Sequence, residues 1–168
     1  MEEAQCPSGF RIRNARSRDS RVIAAYNNRM AEETEGRTLA PEVIGPGVQA
    51  VLDDKNKGRY WVAEGSGEIV GQLMVTYEWS DWRNGTIWWI QSVYILPNWR
   101  RRGVFTALYR HVESLAAAEP GVIGLRLYVE ENNQRAQQTY EALGMTSPSY
   151  LVMESLLANE LIDPSGET

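Results

Sequence analysis

One stretch constrains this chain more than any other: Val93-Tyr-Ile-Leu-Pro-Asn-Trp-Arg-Arg-Arg-Gly-Val-Phe-Thr-Ala-Leu-Tyr109. It opens as a strand, and Pro97 ends that strand because proline has no N–H to give to a ladder. Three consecutive arginines follow, Arg100, Arg101 and Arg102. From about Gly103 onward Val104, Leu108, Val112 and Leu115 recur at helical spacing. A helix start presents unbonded backbone N–H groups and the positive end of a dipole, so a basic, glycine-containing turn there suits an anion. Read alone, the turn is equally a solvated basic loop before an ordinary helix.

Composition narrows the choice of anion. At 168 residues the chain has the length of one domain. Its apolar fraction of 43% and charged fraction of 23% are ordinary for a globular protein. The formal net charge is −5, which argues against broad nucleic-acid binding. The arginines are therefore a local positive spot on an acidic chain. Cys6 is the only cysteine, so no internal disulfide can form. No apolar run is long enough to span a membrane. The beginning, Met-Glu-Glu-Ala-Gln, lacks the apolar stretch of a signal peptide. The expectation is a soluble, cytoplasmic protein with neither membrane nor nucleic-acid partners.

In chain order, residues 1–8 read as a loose polar segment and 157–168 as a polar tail, leaving 9–156 as the domain. Phe10–Asn14 alternates as a first strand. Asp19 or Ser20 caps a helix that Gly36 stops, and Pro41 opens a second helix broken or delayed by Gly45-Pro46-Gly47. Tyr60–Glu64 and Ile69–Glu78 form a hairpin about Ser66-Gly67, and Asn84-Gly85 signals another into Thr86–Leu96. That strand is apolar on both faces and should be central. A helix over about 104–118, a strand over Gly124–Val129, a helix from Asn132 or Asn133 to Gly144 and a last strand over Ser149–Ser155 complete the order. The result is an α/β fold with a central mixed, mostly antiparallel sheet and about four helices.

Two motifs in this order resemble the GNAT superfamily of N-acetyltransferases. Arg100-Arg-Arg-Gly-Val-Phe105 is similar to the family's Arg/Gln-x-x-Gly-x-Gly/Ala turn, with Phe105 in place of the last small residue. Asn133-Gln-Arg-Ala-Gln-Gln-Thr-Tyr140-Glu-Ala-Leu-Gly144-Met resembles Asn-x-x-Ala-x-x-x-Tyr-x-x-x-Gly-Phe more specifically. One strand separates the two, and the resemblance covers nearly the whole chain. It implies a GNAT-like single domain using acetyl-CoA. The pyrophosphate would lie on Arg100, Arg101, Arg102, Gly103, Val104, Phe105 and Thr106. The pantetheine arm would lie along the backbone of Val93, Tyr94 and Ile95, where that strand splays from its neighbour, and beside Asn133 and Tyr140. Asn133 is also an ordinary helix cap, and Tyr140 shares a helix face with Ala136 and Leu143, as a core aromatic would.

The implied reaction is attack of an amine on the acetyl thioester, with Tyr140 as general acid and a backbone N–H as oxyanion donor. It requires no metal. Many relatives carry a glutamate where this chain has Gln91. If Asn84-Gly85 is a two-residue turn, Glu78 faces Gln91 and restores a carboxylate as base, or as the group ordering a base water. The acceptor is expected to be a small-molecule amine. Glu32 and Glu33, beside Glu35 at the end of the first helix, and Trp79 near the hairpin tip would draw its positive charge. Solvated glutamates and core tryptophans are the plainer readings of those residues, and His111 reads as a surface or satisfied histidine. A non-catalytic acyl-CoA sensor and acetylation of a protein or peptide amine stay open as alternatives. Family analogy also admits a homodimer.

Overall fold

The computed structural model describes residues 9–157, and the expected segment 1–8 and tail residues 158–168 lie outside the described residues. The chain divides into two compact units between Tyr128 and Val129. The first holds a five-stranded sheet in the order β1-β2-β3-β4-β5. Its strands are β1 (Phe10–Asn14), β2 (Arg59–Gly65), β3 (Glu68–Ser80), β4 (Gly85–Ile95) and β5 (Val122–Leu127). The first four run antiparallel, and β5 lies parallel to β4. Parallel pairing needs a crossover, and α3 (Val104–Ala118) supplies it. Helices α1 (Ser20–Glu35) and α2 (Pro41–Asp53) lie between β1 and β2 in sequence. The second unit contains α4 (Gln134–Ala142).

Alternation along the strands assigns the two faces. Tyr60, Val62, Met74 and Tyr94 point to one side, where they form a core with Ile23 and Tyr26 of α1 and Val48 of α2. Trp61, between Tyr60 and Val62, points to the other side. There its ring stacks on Trp88 and meets the edge of His111 on α3. Burial lowers the pKa of that histidine.

One buried ion pair ties β1 to the entrance of α1. Arg13 gives Nη1 and Nη2 to the two oxygens of Asp19, at 2.7 and 3.1 Å. The Arg16 amide adds a third bond to Asp19, at 2.7 Å. Asp19 holds the N-cap position, yet its carboxylate caps no α1 amide because these partners occupy it. Gly36 ends α1 at φ 65°, as its position predicts.

Three expectations need correction. Helix α2 runs unbroken through Gly45-Pro46-Gly47. Its inner positions Val48, Ile44, Val51 and Leu52 pack on the core, and that packing outweighs the hydrogen bond Pro46 cannot make. The β3–β4 turn is not the two-residue Asn84-Gly85 turn. Ser80 pairs with Gly85, so residues 81–84 form the loop and Gly85 begins β4. Glycine stands there for another reason, since a Cβ would lie 2.4 Å from Ile123 Cγ2. Finally, residues 149–155 form no strand, and Tyr150, Leu151, Val152 and Met153 are exposed. Four apolar residues in succession offer no alternation of faces, and a strand needs a ladder partner.

The Asp19 carboxyl is held below its ordinary value. Burial opposes ionisation, but the bonds from Arg13 and the Arg16 amide outweigh it. A depressed folded pKa stabilises the protein above the ordinary carboxylate pKa of about 4, and that stability is lost as pH falls through the folded value. Asp19→Asn is expected to cost about 3–5 kcal/mol near neutral pH, as when one partner of a buried pair is removed. The gap to wild type should narrow below about pH 4. Urea melts at neutral and acid pH check this; an equal gap at both contradicts it.

Candidate active site

The site begins with a change in the pairing of β4. Its ladder to β5 ends at Ile90↔Leu127. Beyond that point β4 runs to Ile95 along β3 alone, among the described residues. Within this segment Gln72 pairs with Tyr94 and Met74 with Gln91. Ser92 and Val93 therefore both oppose Leu73, which is a β-bulge. Ser92 adopts φ 50°, a left-handed conformation that disfavours a residue bearing a Cβ. Backbone groups of Val93, Tyr94 and Ile95 that point away from β3 thus lie along an opened edge. The side chain of Tyr94 is buried in the α1/α2 core, so any ligand role of Tyr94 is a main-chain role.

The arginine turn follows directly. A 3₁₀ turn, Pro97–Trp99, ends β4 and leads to Arg100. Arg101 has φ 63° and Gly103 φ 76°, and Gly103 is the N-cap of α3. The first bond into the helix runs from the Ala107 amide to the Gly103 carbonyl, at 2.9 Å. The amides of Gly103 and Val104 precede it and have no acceptor within the helix. A Cβ on Gly103 would meet nothing within 4 Å, so glycine is needed there for its φ and not for space. Gly71 is the reverse case. A Cβ there would lie 2.7 Å from Ile95 Cδ1 and 2.9 Å from Val104 Cγ1. Its bare Cα seats the first turn of α3 against the end of β4, so the opened edge and the helix N-terminus form one framework.

The arginine side chains are engaged unequally. Arg100 folds back from the turn, giving Nε to the Ile95 carbonyl at 3.0 Å and Nη2 to Glu33 at 2.6 Å. Arg102 lies over the Trp99 ring at 5.2 Å. The side chains of Arg101 and Thr106 are exposed. Phe105 is half-buried and meets Tyr109, with centroids 6.2 Å apart. The donor types fit a polyphosphate: main-chain amides at a helix start, with guanidinium groups beside them.

The three glutamates of α1 do not converge. Glu32 accepts from Asn28, and Glu35 pairs with Arg37. Glu33 accepts from Tyr94 Oη at 2.9 Å as well as from Arg100. Burial acts to raise the Glu33 pKa, but these two donors bring it below the ordinary value. Glu78 stands opposite Ile87 and not opposite Gln91, because the longer loop shifts the register by an even number of residues. Both still point to the α1/α2 face. Gln91 donates to Thr76 at 2.6 Å. Glu78 accepts from Trp89 Nε1 and from Arg126 Nη1, the latter at 2.9 Å. Trp79, next to Glu78, points to the opposite face and is largely exposed.

In the second unit, Asn133 caps α4 by accepting from the Ala136 amide at 3.1 Å. Tyr140 lies near the other end of that helix, and burial raises its phenol pKa above the ordinary value. Other participants were not singled out from the sequence. Arg126 holds Glu78, and Tyr128 packs on Trp89 with centroids 4.4 Å apart. Gln72 and Asn27 form a buried polar pair. For Gln72 a signal exists, since it is the one polar side chain in Ile69-Val-Gly-Gln-Leu-Met-Val75.

Residues 22–145 match the acetyltransferase (GNAT) family, and the chain belongs to that family. A possible acetyltransferase from Clostridium difficile 630 is similar in sequence and structure. Identity is 42%, coverage is 89% of this chain and 99% of the other, and the TM-score is 0.82. Thialysine N-epsilon-acetyltransferase of Bos taurus is 30% identical over 76 residues, covering 45% of this chain and 44% of that protein. The match thus spans less than half of the curated relative's length. An aminoglycoside acetyltransferase from an uncultured soil metagenomic sample shares the fold at TM-score 0.71 and 16% identity, covering 92% of this chain and 100% of the other.

Gly71→Ala is expected to destabilise the protein by about 1–3 kcal/mol through overpacking against Ile95 and Val104. Displacing the first turn of α3 should also weaken binding of CoA. Denaturant melts and calorimetry check both effects; wild-type values in both would show that the close approach at Gly71 is not required.

Proposed function

We propose that this protein is an acetyl-CoA-dependent N-acetyltransferase whose acceptor is a small cationic primary amine. The observation that carries the reading is the joining, through Gly71, of an opened β4 edge to the anion-binding start of α3. The turn at 100–106 takes the pyrophosphate, chiefly through backbone amides. The main chain of Val93–Ile95 takes the pantetheine arm and offers an N–H to the thioester carbonyl. Bound acetyl-CoA supplies the acetyl group as an activated thioester.

Tyr140 serves as general acid. An ordinary phenol near pKa 10 already keeps its proton at neutral pH, partial burial shifts that of Tyr140 further upward, and the proton can pass to the departing sulfur. Asn133 serves both as helix cap and as a ligand of the pantetheine arm. Glu78 accepts the amine's proton directly or orders a water that does. Oε2 accepts from Trp89 and Oε1 from Arg126, and a carboxylate oxygen has a second lone pair for an incoming ammonium or water. Gln91, on the same face, orients the amine, and Glu32 and Glu33 add negative potential on its approach. Trp79 points away and takes no part. The name of the bovine relative, which places its reaction on an ε-amine of thialysine, supports a small-amine acceptor.

Incubation with acetyl-CoA and an amine panel should release free CoA thiol, with small diamines and amino-acid side-chain amines ahead of acidic or uncharged acceptors. Tight CoA binding without turnover of any amine would instead favour a non-catalytic acyl-CoA sensor. Turnover of protein or peptide amines alone would point to that substrate class. Tyr140→Phe is expected to lower kcat by roughly 10²–10⁴-fold, the usual contribution of a positioned acid. A value within a few-fold of wild type removes Tyr140 from the role.

A further inference from the structure

We propose that Gln72 is a positioning residue for acetyl transfer, aiming the Val93 amide through the main chain of β4. The inference rests on the reading that the opened edge of β4 receives the acetyl donor. Gln72 lies on β3 and is 0% exposed. Its Nε2 donates to Asn27 Oδ1 of α1 at 2.7 Å and to the Ser92 carbonyl at 3.2 Å. Asn27 is buried too, and its Nδ2 donates to Tyr60 Oη at 3.2 Å. A polar chain thus crosses the α1/α2 core and ends on the bulge.

Chemistry fixes the direction of this chain. An amide side chain can be turned over, but the Ser92 carbonyl can only accept. Nε2 must therefore face the bulge, which leaves Oε1 on the other side. That oxygen is buried and has no hydrogen-bond partner among the described residues. A methionine would fill similar volume without an orphaned acceptor, and such an acceptor lowers stability. The left-handed Ser92 is a second local cost, at the same peptide. Two unfavourable features meeting at one bulge call for a reason beyond packing.

The planar peptide bond supplies that reason. No peptide bond in the described chain is cis. In a trans peptide the C=O of one residue and the N–H of the next point in opposite directions within one rigid plane. Holding the Ser92 carbonyl on Gln72 therefore turns the Val93 N–H away from Gln72. Asn27 holds Gln72 from behind, so α1 contributes to the aim of a main-chain donor it does not touch. An N–H aimed in advance stabilises developing negative charge on the thioester oxygen without reorganising during the reaction.

The test uses the full chain with Gln72→Met and with the double variant Asn27→Leu/Gln72→Met, in which no buried Asn27 amide is stranded. ¹⁵N relaxation by NMR should show the Val93 N–H vector losing order selectively, from about 0.85 to below about 0.6 in S², because nothing then holds the Ser92–Val93 peptide. CoA affinity should stay within about threefold, since the pyrophosphate contacts are untouched. The value of kcat should fall by about 10²-fold, the scale of a misplaced reacting geometry. An unchanged order parameter at Val93, or equal loss of order throughout β3 and β4, would overturn the proposal. The relaxation readout needs neither acceptor nor cofactor. A wild type that fails to bind CoA would sink the functional reading, while the link from Gln72 to Val93 would be judged on its own.

Discussion

Among the described residues, strand β4 has hydrogen-bonded neighbours on both sides as far as Ile90 and on one side beyond it. A sheet normally avoids leaving backbone groups of an inner strand unpaired, because each costs free energy when water is excluded. Here the unpaired stretch contains a bulge and leads into the proline turn and the N-terminus of α3. Opened strand edge and unbonded helix amides are the same kind of group, main-chain donors without an internal acceptor. They lie in succession along the chain, and Gly71 allows the residues that carry them to pack in direct contact. The site is thus made largely of backbone, and side chains serve mainly to place it.

That division explains what was legible in the sequence. Pro97, the arginine turn and the helical spacing after Gly103 identified the helix start, because each follows from a local rule. The Asn133 cap and the Gly36 stop were legible for the same reason. Register was not. Asn84-Gly85 suggested a two-residue turn, but Gly85 is glycine because β5 approaches closely at Ile123, a contact distant in sequence. Helix α2 survived Pro46 because packing of Val48 outweighs one missing bond. The apolar run within Ser149–Ser155 has no ladder partner among the described residues and makes no strand. Polar partners such as Gln72–Asn27 and Glu78–Arg126 need the fold before they can be paired.

The arginine turn shows the same rule acting on charge. Three adjacent cations suggest three phosphate contacts, but the fold gives them different tasks. Arg100 braces the turn against α1 through Glu33 and against β4 through the Ile95 carbonyl. Its guanidinium also lies 5.5 Å from the centre of the Tyr94 ring. Arg102 is stacked on Trp99. The Glu33 ion pair is exposed enough that its direct contribution to stability is modest, roughly 0.2–1 kcal/mol. Its greater consequence is geometric, because it ties the last turn of α1 to the strand end from which the arginine turn departs.

On the proposed reading, an acidic chain holds a polyanion without a broadly basic surface. Long-range repulsion from a net charge of −5 is screened over roughly 10 Å in physiological salt. Amides at a helix start act at contact distance and carry no net charge to be neutralised by neighbouring carboxylates. Glu33 can therefore sit beside the turn and pair with Arg100 without abolishing the turn's capacity for an anion. The Glu78 carboxylate, paired with Arg126, points to the α1/α2 face, as does the neutral amide of Gln91. A cationic acceptor and an anionic donor would then meet opposite fields on neighbouring parts of one framework, with backbone amides serving one and carboxylates the other.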